Sequence, residues 1–434
     1  MNILVVSYEA WRDTNNGGNV LSNIFCAFPE ANIAQVYCSG ELPANSICRK
    51  YFQISDIMLL KSQKGCALEE KNYGIENNKD LVVVENSIKN NIPKFLKEAS
   101  LLAREILWSI FKWKTEALEK FVSEFEPDVI FAPCYSYFHV SKVALHIKSI
   151  AKCPIISYIS DDNYSIKQFN FYPSFWINRL FTRKWIRKLF SECSLVYTMT
   201  EMQKTEYEAL FHSPMKVLCK SAFFTENSKE TGIPIRFIYA GGLYLNRWKV
   251  LEELSVILDN INQTQIKAQL HIFSATKLSK RKIIKLNDGR NSFLHDPVSY
   301  DELIKEYKNS DVAIHVESFD LKNRLITRLS FSTKIIDCMS SGCAILAIGP
   351  SSQAGIAYLK ENDAAVCVND LKNLESSVYK LVDSSDLINE YSQKALRLGQ
   401  KNHVRTDIEK EIRHDFYDIV EDSFCRFSKN IKKF

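Results

Sequence analysis

Short apolar runs alternate with amphipathic stretches along most of this chain, and the alternation begins twice. The run from Asn2 to Ser7 has the continuous apolar character of a strand covered on both faces. A polar loop from Tyr8 to Asn16, the pair Gly17-Gly18 and a helical pattern from Val20 to Phe28 follow it. Further strands are predicted at 127–133, 154–160 and 194–199, with helices at 92–125, 140–150 and 203–211. A polar stretch at 214–234 reads as a linker. The pattern then restarts, with strands at 235–240, 268–273, 292–295, 312–316 and 344–348. Helices at 248–260, 278–286 and 300–310, and one opening near Ser332, alternate with them, and a last helix starts near Thr406. Strand–helix alternation of this kind implies parallel sheets with helices on both faces. The predicted fold class is therefore α/β, with two Rossmann-like domains facing across a cleft. The first domain is expected over 1–220, the second over 234–405, and a terminal helix over 406–434. Residues 65–91 are rich in Asn, Lys and Glu and read as a surface insertion, with a short strand at 81–85.

In such folds ligands sit beyond the carboxyl ends of the strands. The polar loops at Gly17-Gly18, Asp161-Asp162, Gly241 to Lys249 and Glu317 to Thr333 all lie at such ends. The stretch from Ser330 to Pro350 is the most informative. Ser332 or Thr333 can cap a helix by accepting a backbone N–H, and Gly342 can stop it. Ala344 to Ile348 then forms a buried strand. A helix start carries unpaired N–H groups that suit a phosphate. Lys334, Asp337 and Ser341 fall on one helical face. The lysine there can meet a diphosphate, and the acid can take two hydroxyls of a sugar ring such as ribose. An ordinary surface helix with a Lys–Asp pair fits the same spacing. Gly17 and Gly18 allow a close backbone approach to a ligand, or serve as a plain turn.

Composition narrows the class. The chain has 434 residues, 46% apolar and 25% charged, within the range of globular proteins. A net charge of +5 carries no concentrated basic footprint, so nucleic acid is not an expected partner. The twelve cysteines are scattered, without C-x-x-C pairs or zinc-like spacing. Met1 to Ser7 is too short for a signal peptide and Glu9 interrupts it, so a reduced, cytoplasmic setting is expected. No apolar run reaches the ~18–20 residues that span a bilayer.

The segment FSTKIIDCMSSGCAILA, together with the strand Ile235 to Ala240 and its Gly241, Gly242, Arg247 and Lys249, resembles the GT-B glycosyltransferases, in particular the retaining family 4 type. The resemblance covers most of the chain in outline. It implies that Asp337 binds the ribose hydroxyls of a nucleotide-sugar donor, and that the helix amides with Ser332, Thr333 and Lys334 hold its diphosphate. It places Gly241 and Gly242 beside the same group, with Gly17 and Gly18 approaching it from the other domain. Val298 would lie near the base. The terminal helix would cross back onto the first domain, and transfer would retain anomeric configuration. Two departures stand out. Leu329 occupies the spacing of the family's first glutamate, with Glu317 further upstream, and Ser160-Asp161 lacks the family's histidine.

Transfer from such a donor requires that the leaving diphosphate be stabilised. Arg247, Lys249, Lys334 and the helix amides are the groups for this, and neither metal nor cofactor is expected. Asp161 and Asp162 are neighbours that point apart, which makes them poor joint metal ligands. Asp161 can orient a sugar hydroxyl, or either aspartate can cap a turn. His139 and His315 lie near strand ends. Residues 104–114 and 179–190 mix Trp and Phe with Lys and Arg at helical spacing. That suits a helix in an anionic membrane interface and a lipid-linked acceptor, or a solvated helix whose aromatic face packs inward. The expected function is transfer of a hexose to a glycan or lipid-linked acceptor in surface polysaccharide biosynthesis, at the inner face of the membrane. The alternatives are a non-catalytic subunit of the same fold and a sugar-nucleotide epimerase.

Overall fold

The apolar runs of the sequence become the strands of two sheets. The computed structural model describes residues 1–13, 15–61, 65–68, 94–225 and 230–431. The expected strand at 81–85 lies outside them, as does most of the expected insertion. The chain divides into two compact units, one of Met1–Leu218 with the residues from Ile408 onward, the other of Cys219–Asp407. The first sheet contains β1 (Asn2–Ser7), β2 (Asn32–Tyr37), β3 (Lys50–Gln53), β4 (Cys66–Leu68), β5 (Val129–Pro133), β6 (Ile155–Ile159), β7 (Cys193–Thr198) and β8 (Met215–Val217). Their order is β4-β3-β2-β1-β5-β6-β7-β8, parallel except for the antiparallel edge pair β3–β4. The second sheet contains β9 (Ile235–Ala240), β10 (Ala268–Phe273), β11 (Ser292–His295), β12 (Val312–Val316), β13 (Ala344–Ile348) and β14 (Val366–Val368). It is parallel, in the order β11-β10-β9-β12-β13-β14.

Both sheets share one topological feature. The chain winds outward on one side of the first strand, then returns to pair on its other side. This happens between β1 and β5 in the first sheet and between β9 and β12 in the second. Loops leaving such a pair of strands diverge and open a crevice at their carboxyl ends.

Three local features differ from expectation. The helix expected at 92–125 is two helices, Lys94–Ile110 and Glu116–Phe125. Thr115 caps the second by accepting from the Leu118 amide, and the buried Trp113 folds back to donate to the Trp108 carbonyl at 3.1 Å. Gly17 and Gly18 belong to the first turn of the helix Asn16–Phe25 and not to the preceding loop, because Asn15 caps that helix by accepting from the Gly18 amide at 2.6 Å. The helix Lys334–Ser340 begins at Thr333 in helical conformation, with no side-chain cap bond, although Gly342 ends it with φ +79 as expected.

The second core forms where Phe237 and Tyr239 of β9 meet Leu251, Leu254 and Leu258 of the helix Arg247–Ile261. The last helix, Arg405–Ile431, brings Phe416 against Phe25, Phe28 and Phe131. Its Asp415 accepts from Tyr197 Oη at 2.6 Å and from Lys216. No helix among the described residues is long and apolar enough to cross a membrane.

Candidate functional site

The crevice between β9 and β12 is built by the turn at Gly241 to Asn246 and by Glu317, the first residue after β12. Asn246, in a left-handed conformation at φ 62, starts the helix Arg247–Ile261 abruptly and sets Arg247 in its first turn. The Arg247 guanidinium donates from Nη2 to both Glu317 carboxylate oxygens, at 3.0 and 2.9 Å. The two side chains are 13% and 8% exposed, so this pair is held away from water. Burial works against the guanidinium's charge, but Glu317 outweighs it and holds Arg247 above its ordinary range. Burial likewise pushes Glu317 up, against the pull of Arg247. His315 Nε2 lies 3.7 Å from Glu317 Oε1. Burial, then Arg247 and Lys334, push that imidazole down to about 3, so it is neutral at pH 7.

Lys334 completes the cluster. It is exposed as a residue, yet its ammonium lies over Gly241, where an added Cβ would collide with it. Enclosure of the ammonium and the nearby Arg247 charge both lower its affinity for a proton. The glycine is therefore what gives this cation its seat. Tyr239 donates to the Gly242 carbonyl at 2.7 Å and braces the turn. Two cations thus converge around one carboxylate, with a neutral histidine beside it. Such a group has a positive excess and fixed donors, which is what an anion requires.

The sequence reading is redistributed by this geometry. Arg247, Lys334, Gly241 and Gly242 come together. Lys249 stays exposed, and no ion pair or hydrogen bond among the described residues joins it to that cluster. Ser332 and Thr333 stand at the start of the short helix, but the amides of Ile335 and Ile336 already donate to their carbonyls at 3.0 and 3.2 Å. Two of the amides expected for a phosphate are therefore in use. Asp337 accepts from Lys220 Nζ at 2.6 Å, and burial, then the nearby Asp337 charge, push the Tyr300 phenol up. Val298 is 38% exposed in the stretch between β11 and the helix Tyr300–Lys308. Glu317 and Lys220 were missed as site residues. Glu317 could have been found from its place just after a strand beside the chain reversal. Lys220 carries no such signal.

The crevice between β1 and β5 has a different lining. Arg104 of the helix Lys94–Ile110 pairs with Asp56 at 2.9 Å and lies over the rings of Tyr8 and Tyr137. Its neighbour Glu105, fully buried, accepts from the His139 backbone amide at 3.0 Å and holds His139 Nδ1 at 2.8 Å. His139 is stacked on Trp108, with centroids 4.3 Å apart. Gly18 packs against the Arg12 backbone, with no room for a Cβ, and a Cβ on Gly17 would lie 3.0 Å from the Glu9 carboxylate. Asp162 is buried, accepting from the Ser165 amide at 2.8 Å, whereas Asp161 is exposed in the loop after β6. That loop is one strand removed from β5, so Asp161 and the two glycines sit at different strand ends.

No protein-family model matches this chain, and no curated protein matches it. Solved structures do. Sucrose-phosphate synthase from Thermosynechococcus elongatus superposes with a TM-score of 0.61 at 12% identity, over 97% of this chain and 99% of that one. Anabaena HepE, solved in complex with UDP, gives 0.59 at 12% identity over 96% and 100%. TarM gives 0.54 at 12% identity over 69% of this chain, which spans 57% of TarM's length. At these identities the likeness is one of fold, and the fold is that of the GT-B glycosyltransferases.

Proposed function

We propose that the chain is a glycosyltransferase moving a hexose from a nucleotide-diphosphate sugar to a glycan or lipid-linked acceptor in surface polysaccharide biosynthesis. The observation that carries this reading is the pairing of Arg247 and Lys334 around Glu317 at the strand reversal of the second sheet. As the glycosidic bond breaks, charge grows on the departing diphosphate. Donors already aimed at it stabilise that charge without reorganising, worth about 10²–10³ in rate per donor. Glu317 fixes the guanidinium, and Gly241 leaves room for Lys334. Asp337 is assigned to the ribose hydroxyls. Nucleotide sugars are supported as donors by HepE, solved with UDP and glucose, and by S. aureus TarM, solved with UDP and alpha-GlcNAc-glycerol. Metal independence and retention of configuration are part of the proposal and rest on the family resemblance. Gly17 and Gly18 stay assigned to the donor, and Asp161 to a hydroxyl of the acceptor or the sugar.

A peripheral membrane site at the inner face is proposed for the surface around residues 104–114 and 179–190. Ile106, Ile110, Phe171, Leu180 and Phe181 are 48–79% exposed there. From Asn163 to Ser191 the chain has Lys and Arg but neither Asp nor Glu. Lys167 among them pairs with Glu206, and exposed apolar side chains beside the remaining cations suit an anionic leaflet.

A second reading, a non-catalytic subunit of the same fold, is favoured by Leu329, which is fully buried where the family has a carboxylate. Incubation with a panel of nucleotide sugars, with and without lipid-linked acceptors, separates the two. Release of nucleoside diphosphate, abolished in Lys334→Met, supports the transferase. Binding of the nucleotide sugars without turnover under any of these conditions supports the subunit.

A further inference from the structure

Asp337 does not stand alone on its helix. Its carboxylate is largely enclosed, at 13% side-chain exposure, and Lys220, at 18%, holds Oδ1 at 2.6 Å. The lysine one turn before this acid, Lys334, places its ammonium over Gly241, and no ion pair or hydrogen bond among the described residues joins it to Asp337. The Tyr300 ring lies 5.7 Å beneath the Lys220 ammonium. Lys220 is itself fixed by its backbone. Two residues on, the Ala222 amide donates to the His403 carbonyl at 3.0 Å, and the Arg405 amide donates to the Ala222 carbonyl at 3.1 Å. The His403 ring is held in turn by Tyr358 Oη at 2.8 Å from Nε2. A carboxylate has about four lone-pair sites. Lys220 takes one on Oδ1, and a pair of adjacent hydroxyls can take others.

We infer that Lys220 is the positioning residue of the ribose-binding carboxylate: it holds Asp337 turned so that its remaining lone pairs meet a cis-diol. This deepens the nucleotide-sugar reading and rests on it. The selectivity for ribose over a sugar lacking both hydroxyls therefore depends on a lysine 117 residues away in sequence from the acid.

The test is calorimetric titration of the full chain with the 5′-diphosphates of adenosine, cytidine, guanosine and uridine, and with the 2′,3′-dideoxy form of the tightest binder. Hydrogen bonds to a charged group are worth enough for the ribose form to bind at least about tenfold more tightly. In Lys220→Met that ratio is expected to fall below about threefold, and Lys220→Arg is expected to restore it. Inorganic pyrophosphate, which has no diol, is expected to bind both variants as it binds the unmodified chain. A ratio unchanged in Lys220→Met, or an equal loss of pyrophosphate affinity, overturns the inference while leaving nucleotide binding standing. Absence of binding by all four diphosphates overturns the nucleotide reading itself. If Lys220→Met fails to fold by thermal melting, Lys220→Gln takes its place under the same criteria.

Discussion

The two sheets present the same kind of crevice and fill it with opposite chemistry. Beside β9 and β12, Arg247 and Lys334 surround the single carboxylate of Glu317. Beside β1 and β5, Glu105 is spent on His139 and Arg104 is spent on Asp56, among the rings of Tyr8, Tyr137 and Trp108. Topology fixes where a ligand can sit, and the residues just past the strands decide its charge. The first arrangement suits a diphosphate. In the second, both carboxylates are already taken up, by His139 and by Arg104. The contrast also separates two uses of a buried carboxylate. Glu317 aims a cation that stays available on its other edge, while Glu105 ties one helix to the first turn of another, Phe138–Ala151.

The largest expected effect comes from removing Arg247. Arg247→Met should lower turnover by about a hundredfold or more and abolish nucleoside-diphosphate binding. It should also destabilise the fold by about 3–5 kcal/mol in urea unfolding, because Glu317 is left buried and unpaired. Adding Glu317→Leu should restore most of the stability and none of the turnover. Recovery of both would make the pair structural and end the contrast. On the other side, Glu105→Ala leaves the His139 amide and ring unpaired in the core. It should cost about 2–4 kcal/mol of stability while diphosphate affinity stays within about twofold. A matched loss of affinity would show that the two crevices are not separable.

Much of this was legible beforehand. The strands at Asn2–Ser7, Ile235–Ala240 and Ala344–Ile348 were marked by continuous apolar runs, and Gly342 marked a helix end. Arg247 was visible beside the glycines that follow a strand, and Lys334 as the cation at a helix start with Asp337 on the same face. The break at Thr115 was not, since Trp113 turns inward to a partner that only packing supplies. Lys249 was chosen by the family resemblance, but one cation of a helical first turn faces the crevice and its near neighbour faces solvent. Lys220 was invisible because its meaning lies in a contact across 117 residues. Gly17 and Gly18 looked like a ligand loop, and the structure gives Gly18 a packing role against Arg12.

Smaller effects sharpen the assignment. Lys334→Met should weaken diphosphate binding about tenfold, and Lys249→Ala less than about twofold, by calorimetry. Acid should destabilise the second unit in part through His315. That imidazole is held down to about 3, by burial first and then by Arg247 and Lys334. In the unfolded chain it titrates near ~6.5. Between those values the unfolded state binds more protons, so this contribution to stability is present above about pH 6.5 and is lost as the pH falls toward about 3. His315→Asn should flatten the fall in urea midpoint between pH 7 and pH 4.5. The smallest effect is expected from Leu180→Glu, on an exposed helix position. It should reduce flotation with anionic vesicles and leave diphosphate affinity unchanged.

The central claim is that Arg247 and Lys334 form the seat of a nucleotide's diphosphate. Titration of the purified chain with nucleoside 5′-diphosphates tests it most directly, using Lys334→Met and Lys249→Ala as the paired variants. The account expects one diphosphate to bind at a single site, with affinity falling about tenfold in Lys334→Met and holding in Lys249→Ala. Binding that survives Lys334→Met but is lost in Lys249→Ala, or no binding by any of them, would contradict it.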